Sequence, residues 1–175
     1  MKNKKVLSLV QAAMIAALYV VLTLIANAFG LASGNIQIRF SEALPVLPFF
    51  TPPAIPGLYI GCLLSNVMTG CALPDIIFGS LATLIGAIGT WMIGRAAKKA
   101  ASRQKAALYK YLSPLPPILS NAIIIPPMLK IAYGIIPMWF SLITVTIGEI
   151  ISCGVFGYIL LTALQKYRGI LFSQE

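Results

Sequence analysis

The 175 residues are 59% hydrophobic and 10% charged, with 13 Lys and Arg against 4 Asp and Glu, no His and a formal net charge of +9. Such a chain cannot dress a water-soluble core in polar surface, and its cations fall in short clusters between apolar runs instead of one basic stripe interleaved with aromatics, which argues against a nucleic-acid partner. Without His, and with Cys62, Cys71 and Cys153 unclustered, the sequence offers no metal site and no catalytic residue.

A bilayer needs roughly 20 apolar residues per spanning helix. The apolar runs therefore predict helices near residues 6–29, 42–52, 54–70, 74–94, 112–130 and 136–165, an all-α integral membrane bundle of six transmembrane helices forming a single membrane domain, 1–175. The first run follows a basic start and ends on Ala26-Asn27-Ala28, which is also the shape of a signal peptide; its length favours a retained helix. It carries Ala12, Ala13, Ala16 and Ala17, two overlapping small-xxx-small pairs on one face. Small residues let helix backbones approach closely in lipid, either within the chain or against another subunit.

Residues 30–41 hold Gly30, Ser33, Gly34 and Asn35, then alternate through Ile36, Gln37, Ile38, Arg39 and Phe40. Turn residues followed by an extended piece predict an ordered outer loop, a lid over the bundle. Arg39 and Glu42 stand three apart where this loop meets the second helix, as part of a gate or as a structural ion pair. The second run contains Pro45 and Pro48 and is followed by Pro52 and Pro53, so it is expected to be kinked or incomplete, which a membrane tolerates only where protein or a cavity surrounds it. Helix 3 carries Asn66. Helix 4 opens on Pro74-Asp75, where a carboxylate suits a helix N-terminus, and continues with a small face of Gly79, Ala82, Gly86, Ala87 and Gly94. A basic loop at 95–110 leads to helix 5, which contains Asn121 and ends near Lys130, and helix 6 runs from Trp139 and Phe140 through Glu149.

Lys and Arg accumulate on the cytoplasmic side of membrane segments. An even number of crossings puts Lys2, Lys4, Lys5, the 95–110 loop, Lys166 and Arg168 on that side, with both termini cytoplasmic at the plasma membrane and only Arg39 and Lys130 elsewhere. Three of the four acids, Glu42, Asp75 and Glu149, lie inside or at the edge of apolar runs. An ionisable group at that depth costs roughly 2.5–3.5 kcal/mol, so these three are the foremost functional candidates.

Ile38-Arg39-Phe40-Ser41-Glu42-Ala43-Leu44 with Leu47-Pro48, Asn66, Pro74-Asp75-Ile76-Ile77-Phe78-Gly79-Ser80-Leu81-Ala82, Asn121-Ala122 and Gly148-Glu149 together resemble the queuosine-precursor transporter family, whose members are substrate-binding S components of energy-coupling factor (ECF) transporters. The resemblance runs from helix 1 to Glu149; Pro45 departs from it, standing where relatives are expected to carry a small polar residue. It implies an S-component-like six-helix subunit that captures a 7-deazaguanine such as preQ1 or preQ0 outside the cell. It further implies partnership with a transmembrane coupling subunit and two ATPases, with Ala12, Ala13, Ala16 and Ala17 of helix 1 on the coupling subunit. The chain has no G-x-x-x-x-G-K-[ST] phosphate loop, so it is expected to hold no cofactor and to leave ATP hydrolysis to its partners.

Beside that substrate, the buried polar residues acquire roles. A deazaguanine presents its N1–H and exocyclic amine side by side, and a carboxylate can accept both; Glu149 is the candidate. Asn121 and Asn66 offer amides for O6 and the ring nitrogens. Phe78 and Trp139 are candidate stacking walls, with Tyr59, Tyr133 and Phe140 as further choices. Asp75 is either a helix cap or, like Glu42, a partner for the cation of preQ1, while Arg39, Phe40 and Glu42 form the loop gate. A membrane enzyme lacks the usual acid-base parts here. A stand-alone secondary carrier would be expected to show internal repeats, and an S component for another vitamin would share the architecture and differ in the pocket.

Overall fold

The uncharged run after Lys5 forms α1 (Lys4–Ala28) in the computed structural model, which describes residues 4–31, 38–134 and 137–171, with side chains through residue 167. The described residues are all-helical. After α1, residues Phe40–Phe49 wind as a 3-10 helix, then α2 spans Ala54–Met68. A π-helical turn at Asp75–Gly79 leads into α3 (Ser80–Lys98), followed by α4 (Arg103–Leu112) and α5 (Leu115–Tyr133). The last rod is α6 (Met138–Glu149), a second π-helical turn at Ile150–Phe156, and α7 (Gly157–Leu171).

The second predicted crossing is the element most altered by its surroundings. Pro45 and Pro48 each remove a backbone donor, which opposes an α-helix. A 3-10 helix rises about 2.0 Å per residue against about 1.5 Å, so ten residues reach about 20 Å instead of about 15 Å. All of residues 41–48 are buried, between α1, α3, α7 and the second π turn, where its imperfect backbone is shielded from lipid.

Contacts fix the direction of each element. Ala12 and Ala16 of α1 meet Gly57 and Gly61 of α2 in the same order, so these two helices are parallel. The 3-10 segment runs the other way: Ser41 meets Thr23 with an Oγ–Oγ1 separation of 2.8 Å, whereas Thr51, just past its end, lies 3.4 Å from Gln11. α3 descends beside α2, and α5 rises again, with Thr90 donating to the Ser113 carbonyl at 3.0 Å near the bottom and Asp75 accepting from Tyr133 at the top. Cys153 near Pro114 returns the last rod downward.

Glycines at the crossings admit backbones that no side chain would. A Cβ on Gly57 would stand 2.6 Å from the Ala12 carbonyl oxygen, one on Gly86 2.7 Å from the Pro117 Cα, and one on Gly94 2.4 Å from the Phe49 oxygen. The small residues of α3 are thus consumed inside the chain, with Ala82 and Ala87 fully buried. Beneath these crossings lies an apolar floor of Tyr19, Leu44, Leu47, Leu58 and Ala87, extended by Val46, Phe50, Cys153 and Leu161.

Four stretches, Lys4–Ala28, Asp75–Lys98, Arg103–Tyr133 and Met138–Tyr167, are long and apolar enough to cross a membrane; Ala54–Met68 is a shorter apolar helix. This is a multi-pass membrane protein. The basic loop expected at 95–110 contains a helix, α4, started by Ser102, whose hydroxyl accepts from the Lys105 amide at 3.3 Å. None of its residues is buried, and its polar sequence carries no span signal, which is why hydropathy passes over it.

Candidate functional site

At the end of the bundle away from the lysines and arginines of α3, α4 and α7, the elements part around a cavity of about 420 Å³. Its walls follow from helical spacing. Asn121, Ile125, Leu129 and Tyr133 recur every fourth residue on α5, and Ser141, Thr144, Val145 and Glu149 share one face of α6. Opposite them stand Cys62 and Asn66 of α2, then Asp75, Gly79 and Thr83 of the first π turn and α3, with Arg39 and Glu42 closing the remaining side. Nine residues of helix separate Phe140 from Glu149, about 13 Å, so the cavity descends from an aromatic rim to a polar floor.

The floor is built from groups locked by neighbours. Glu42 is 5% exposed, and its Oε1 accepts from the hydroxyl of Tyr19, itself fully buried in α1. Arg39 is held at both ends: its backbone N–H donates to the Ser152 hydroxyl at 3.3 Å, and its Nη1 donates to Asn66 Oδ1 at 3.2 Å. The Asn66 amide nitrogen in turn donates to the Asp75 carbonyl at 3.3 Å. Asn121 stands beside the Glu149 carboxylate, and Arg39 lies within electrostatic range of both Glu42 and Glu149.

Two atoms are left over. Among the described residues, Glu42 Oε2 and Glu149 Oε2 are the buried side-chain oxygens without a hydrogen-bond partner. Both residues line the cavity. A buried acceptor without a donor costs about 1–3 kcal/mol, more when charged. At the rim, the Tyr133 hydroxyl donates to Asp75 Oδ2. Ile125, Leu129, Val145 and Phe140 supply apolar wall above the floor, a mixture suited to a small flat ligand with a hydrogen-bonding edge.

Six of the residues singled out from sequence converge here: Arg39, Glu42, Asn66, Asp75, Asn121 and Glu149. Their roles differ from expectation in one case. Asn66 is spent on Arg39 and the Asp75 carbonyl, so it positions the guanidinium instead of presenting a free amide. Phe78 and Trp139 lie outside the lining, 44% and 62% exposed; Phe140 and Tyr133 take the wall positions in their stead. Phe40 packs behind the site against Phe156, with ring centroids 6.0 Å apart. The lid reading of the 30–41 loop rests on residues 32–37, which lie outside the described residues; its described ends are pinned by Ile38 N–H donating to the Leu31 carbonyl at 3.0 Å. On α1, Ala12 and Ala16 pack against α2, which leaves Ala13 and Ala17 exposed. Sequence reading overlooked Cys62, Thr83, Ser141 and Thr144. The fourfold spacing from Gly79 to Thr83 and from Cys62 to Asn66 was the available signal.

The family model described as QueT transporter matches residues 9–166. Among curated proteins, the queuosine precursor transporter QueT of Lactococcus lactis subsp. cremoris (strain MG1363) is 39% identical over 85 residues, covering 49% of this chain and 50% of that relative. The match thus spans about half the length of that protein. No solved structure matches.

Proposed function

The chain belongs to the QueT transporter family, and from that premise we propose that it is the substrate-binding S component of an ECF transporter that takes up a queuosine precursor, a 7-deazaguanine such as preQ1 or preQ0. The observation that carries this reading is the unpartnered Glu149 Oε2 at the bottom of a cavity of about 420 Å³. A deazaguanine brings an N1–H and an amine that together satisfy such a carboxylate in a charge-assisted pair. Asn121, beside Glu149 in the same lining, offers its amide to the neighbouring O6 of the base. The cavity falls within the roughly 300–1,000 Å³ of small-molecule sites. Tyr133 and Phe140 supply the aromatic surface for a flat ring.

In this reading the 3-10 segment and α2 complete six crossings, and the cavity faces outward. The basic end, with Lys4, Lys5, Arg95, Lys98, Lys99, Arg103, Lys105, Lys110 and Lys166, faces the cytoplasm of the cell membrane together with both termini. ATP is hydrolysed by two partner ATPases acting through a coupling subunit, which this chain meets on the exposed Ala13–Ala17 side of α1.

The test is a titration of the detergent-purified chain, by thermal shift and direct binding, against preQ1, preQ0, queuine, guanine, thiamin and riboflavin. A ligand that binds only the folded state raises its stability with concentration. Selective deazaguanine binding is expected, weakened roughly 10- to 100-fold in Glu149→Gln, the loss of a hydrogen bond to a charged group. Binding of thiamin or riboflavin instead, or an unchanged Glu149→Gln, overturns the substrate and the site. For the coupling face, Ala13→Leu with Ala17→Leu is expected to abolish uptake by the assembled transporter while the isolated chain still binds. Ala16→Leu cannot serve, because Ala16 is buried against Gly61.

A further inference from the structure

The cavity floor offers two free acceptors where the edge of a neutral deazaguanine needs one. Glu42 Oε2 and Glu149 Oε2 are both buried, both unpartnered and in the same cavity, yet they come from different elements, Glu42 on the 3-10 segment and Glu149 at the end of α6. Each carboxylate has its own neighbour in the protein: the Tyr19 hydroxyl donates to Glu42, and Asn121 stands beside Glu149. Formal charge is unbalanced as well. The lining holds three carboxyl groups, Glu42, Asp75 and Glu149, against the guanidinium of Arg39.

A neutral deazaguanine, with its N1–H and amine on one edge and its N9–H on the other ring, brings donors but no positive charge to offset these carboxyl groups. Asp75 is the less demanding of the three acids, since it is only half-buried and Tyr133 already donates to it. Glu42, 95% removed from solvent by its 5% exposure, is the group that a second donor would serve most. Resting on the deazaguanine reading above, we infer that the site is charge-selective: Glu149 takes the flat N–H edge of the base, and Glu42 is the counter-ion for a primary ammonium carried on the far side of the ring. The preferred ligand is then the aminomethyl compound, because the nitrile brings no cation to Glu42.

The experiment titrates the purified full chain with three 7-substituted deazaguanines: aminomethyl, hydroxymethyl and nitrile. The aminomethyl ligand is expected to bind at least about tenfold more tightly than the nitrile, with the hydroxymethyl analogue, a donor without charge, between them. Glu42→Gln is expected to remove most of that preference by weakening the aminomethyl ligand alone, whereas Glu149→Gln weakens all three alike. Equal binding of aminomethyl and nitrile by the wild-type chain overturns the inference and leaves the deazaguanine reading intact; so does hydroxymethyl binding as well as aminomethyl. A Glu42→Gln loss shared equally by the three ligands also overturns it. The three-ligand series on the unmodified chain decides the matter even where Glu42→Gln fails to fold. Failure of a well-folded chain to bind any of the three would instead remove the deazaguanine reading and this inference with it.

Discussion

The two ends of the bundle solve opposite electrostatic problems. At the basic end the charges sit on helix termini and on α4, where they reach water along flexible stems: the Arg95 guanidinium lies 4.9 Å from the Trp91 ring centroid, and Lys110 Nζ 5.4 Å from that of Tyr158, which itself stacks on Tyr111. Arg95 and Lys98 occupy the last turn of α3, where a cation suits the helix dipole. At the cavity end the charges are few, and each has a named neighbour: Tyr19 for Glu42, Asn66 for Arg39, Asn121 for Glu149 and, at the half-buried rim, Tyr133 for Asp75. The basic end is redundant and solvated, so it tolerates the loss of a member. The cavity floor is not, because a deletion there strands a buried group.

The largest effect is expected below the cavity, where the basic end of α3 clamps the far end of the 3-10 segment. Gly94→Leu would drive a side chain into the Phe49 backbone, 2.4 Å from the Cβ position, and is expected to destabilise the chain by about 3 kcal/mol. Thermal unfolding in detergent reads this, and an unaltered midpoint would show that the 3-10 segment is not clamped as described. Tyr19→Phe comes next: it removes the α1 donor that holds Glu42, with an expected cost of about 1–3 kcal/mol in stability and a matching fall in ligand affinity. If affinity and unfolding both stay at wild-type values, Glu42 is not held by α1.

Smaller effects sharpen the comparison. Tyr133→Phe deletes a hydrogen bond at the exposed rim, worth about 0.5 kcal/mol, and is expected to change ligand dissociation more than stability; a stopped-flow release measurement distinguishes the two. Smallest of all, Lys98→Gln with Lys99→Gln is expected to move stability by no more than about 0.5 kcal/mol and to leave ligand affinity untouched. A large loss of binding from that pair would mean that the two ends are coupled and the comparison is wrong.

Much of this architecture was legible along the chain. The apolar runs anticipated α1, α2 and α5 to within a few residues, the run at 74–94 spanned the first π turn and most of α3, and the acids in apolar runs pointed to the cavity end before any geometry was known. The features that stayed hidden depend on helix phase. The π turn at Asp75–Gly79 adds a residue to its turn and rotates the rest of the helix by about 100°, which turns Phe78 outward while Asp75, Gly79 and Thr83 line the cavity. The second π turn comes directly after Glu149 and brings Ser152 to the cavity, where it accepts from Arg39.

The sequence by itself determined that this is a membrane chain, where its apolar segments run and which charges are costly enough to matter. Hydropathy is a sum over neighbours along the chain and needs no partner to be read. Only the tertiary structure decided that Phe40–Phe49 is a 3-10 helix wrapped in protein, that Ala12 and Ala16 are taken up by α2, that Asn66 serves Arg39, and that Glu42 and Glu149 share one cavity with an oxygen each to spare. Those outcomes depend on which side chains meet across elements distant in sequence, and on donors and acceptors that must be satisfied there once water is gone.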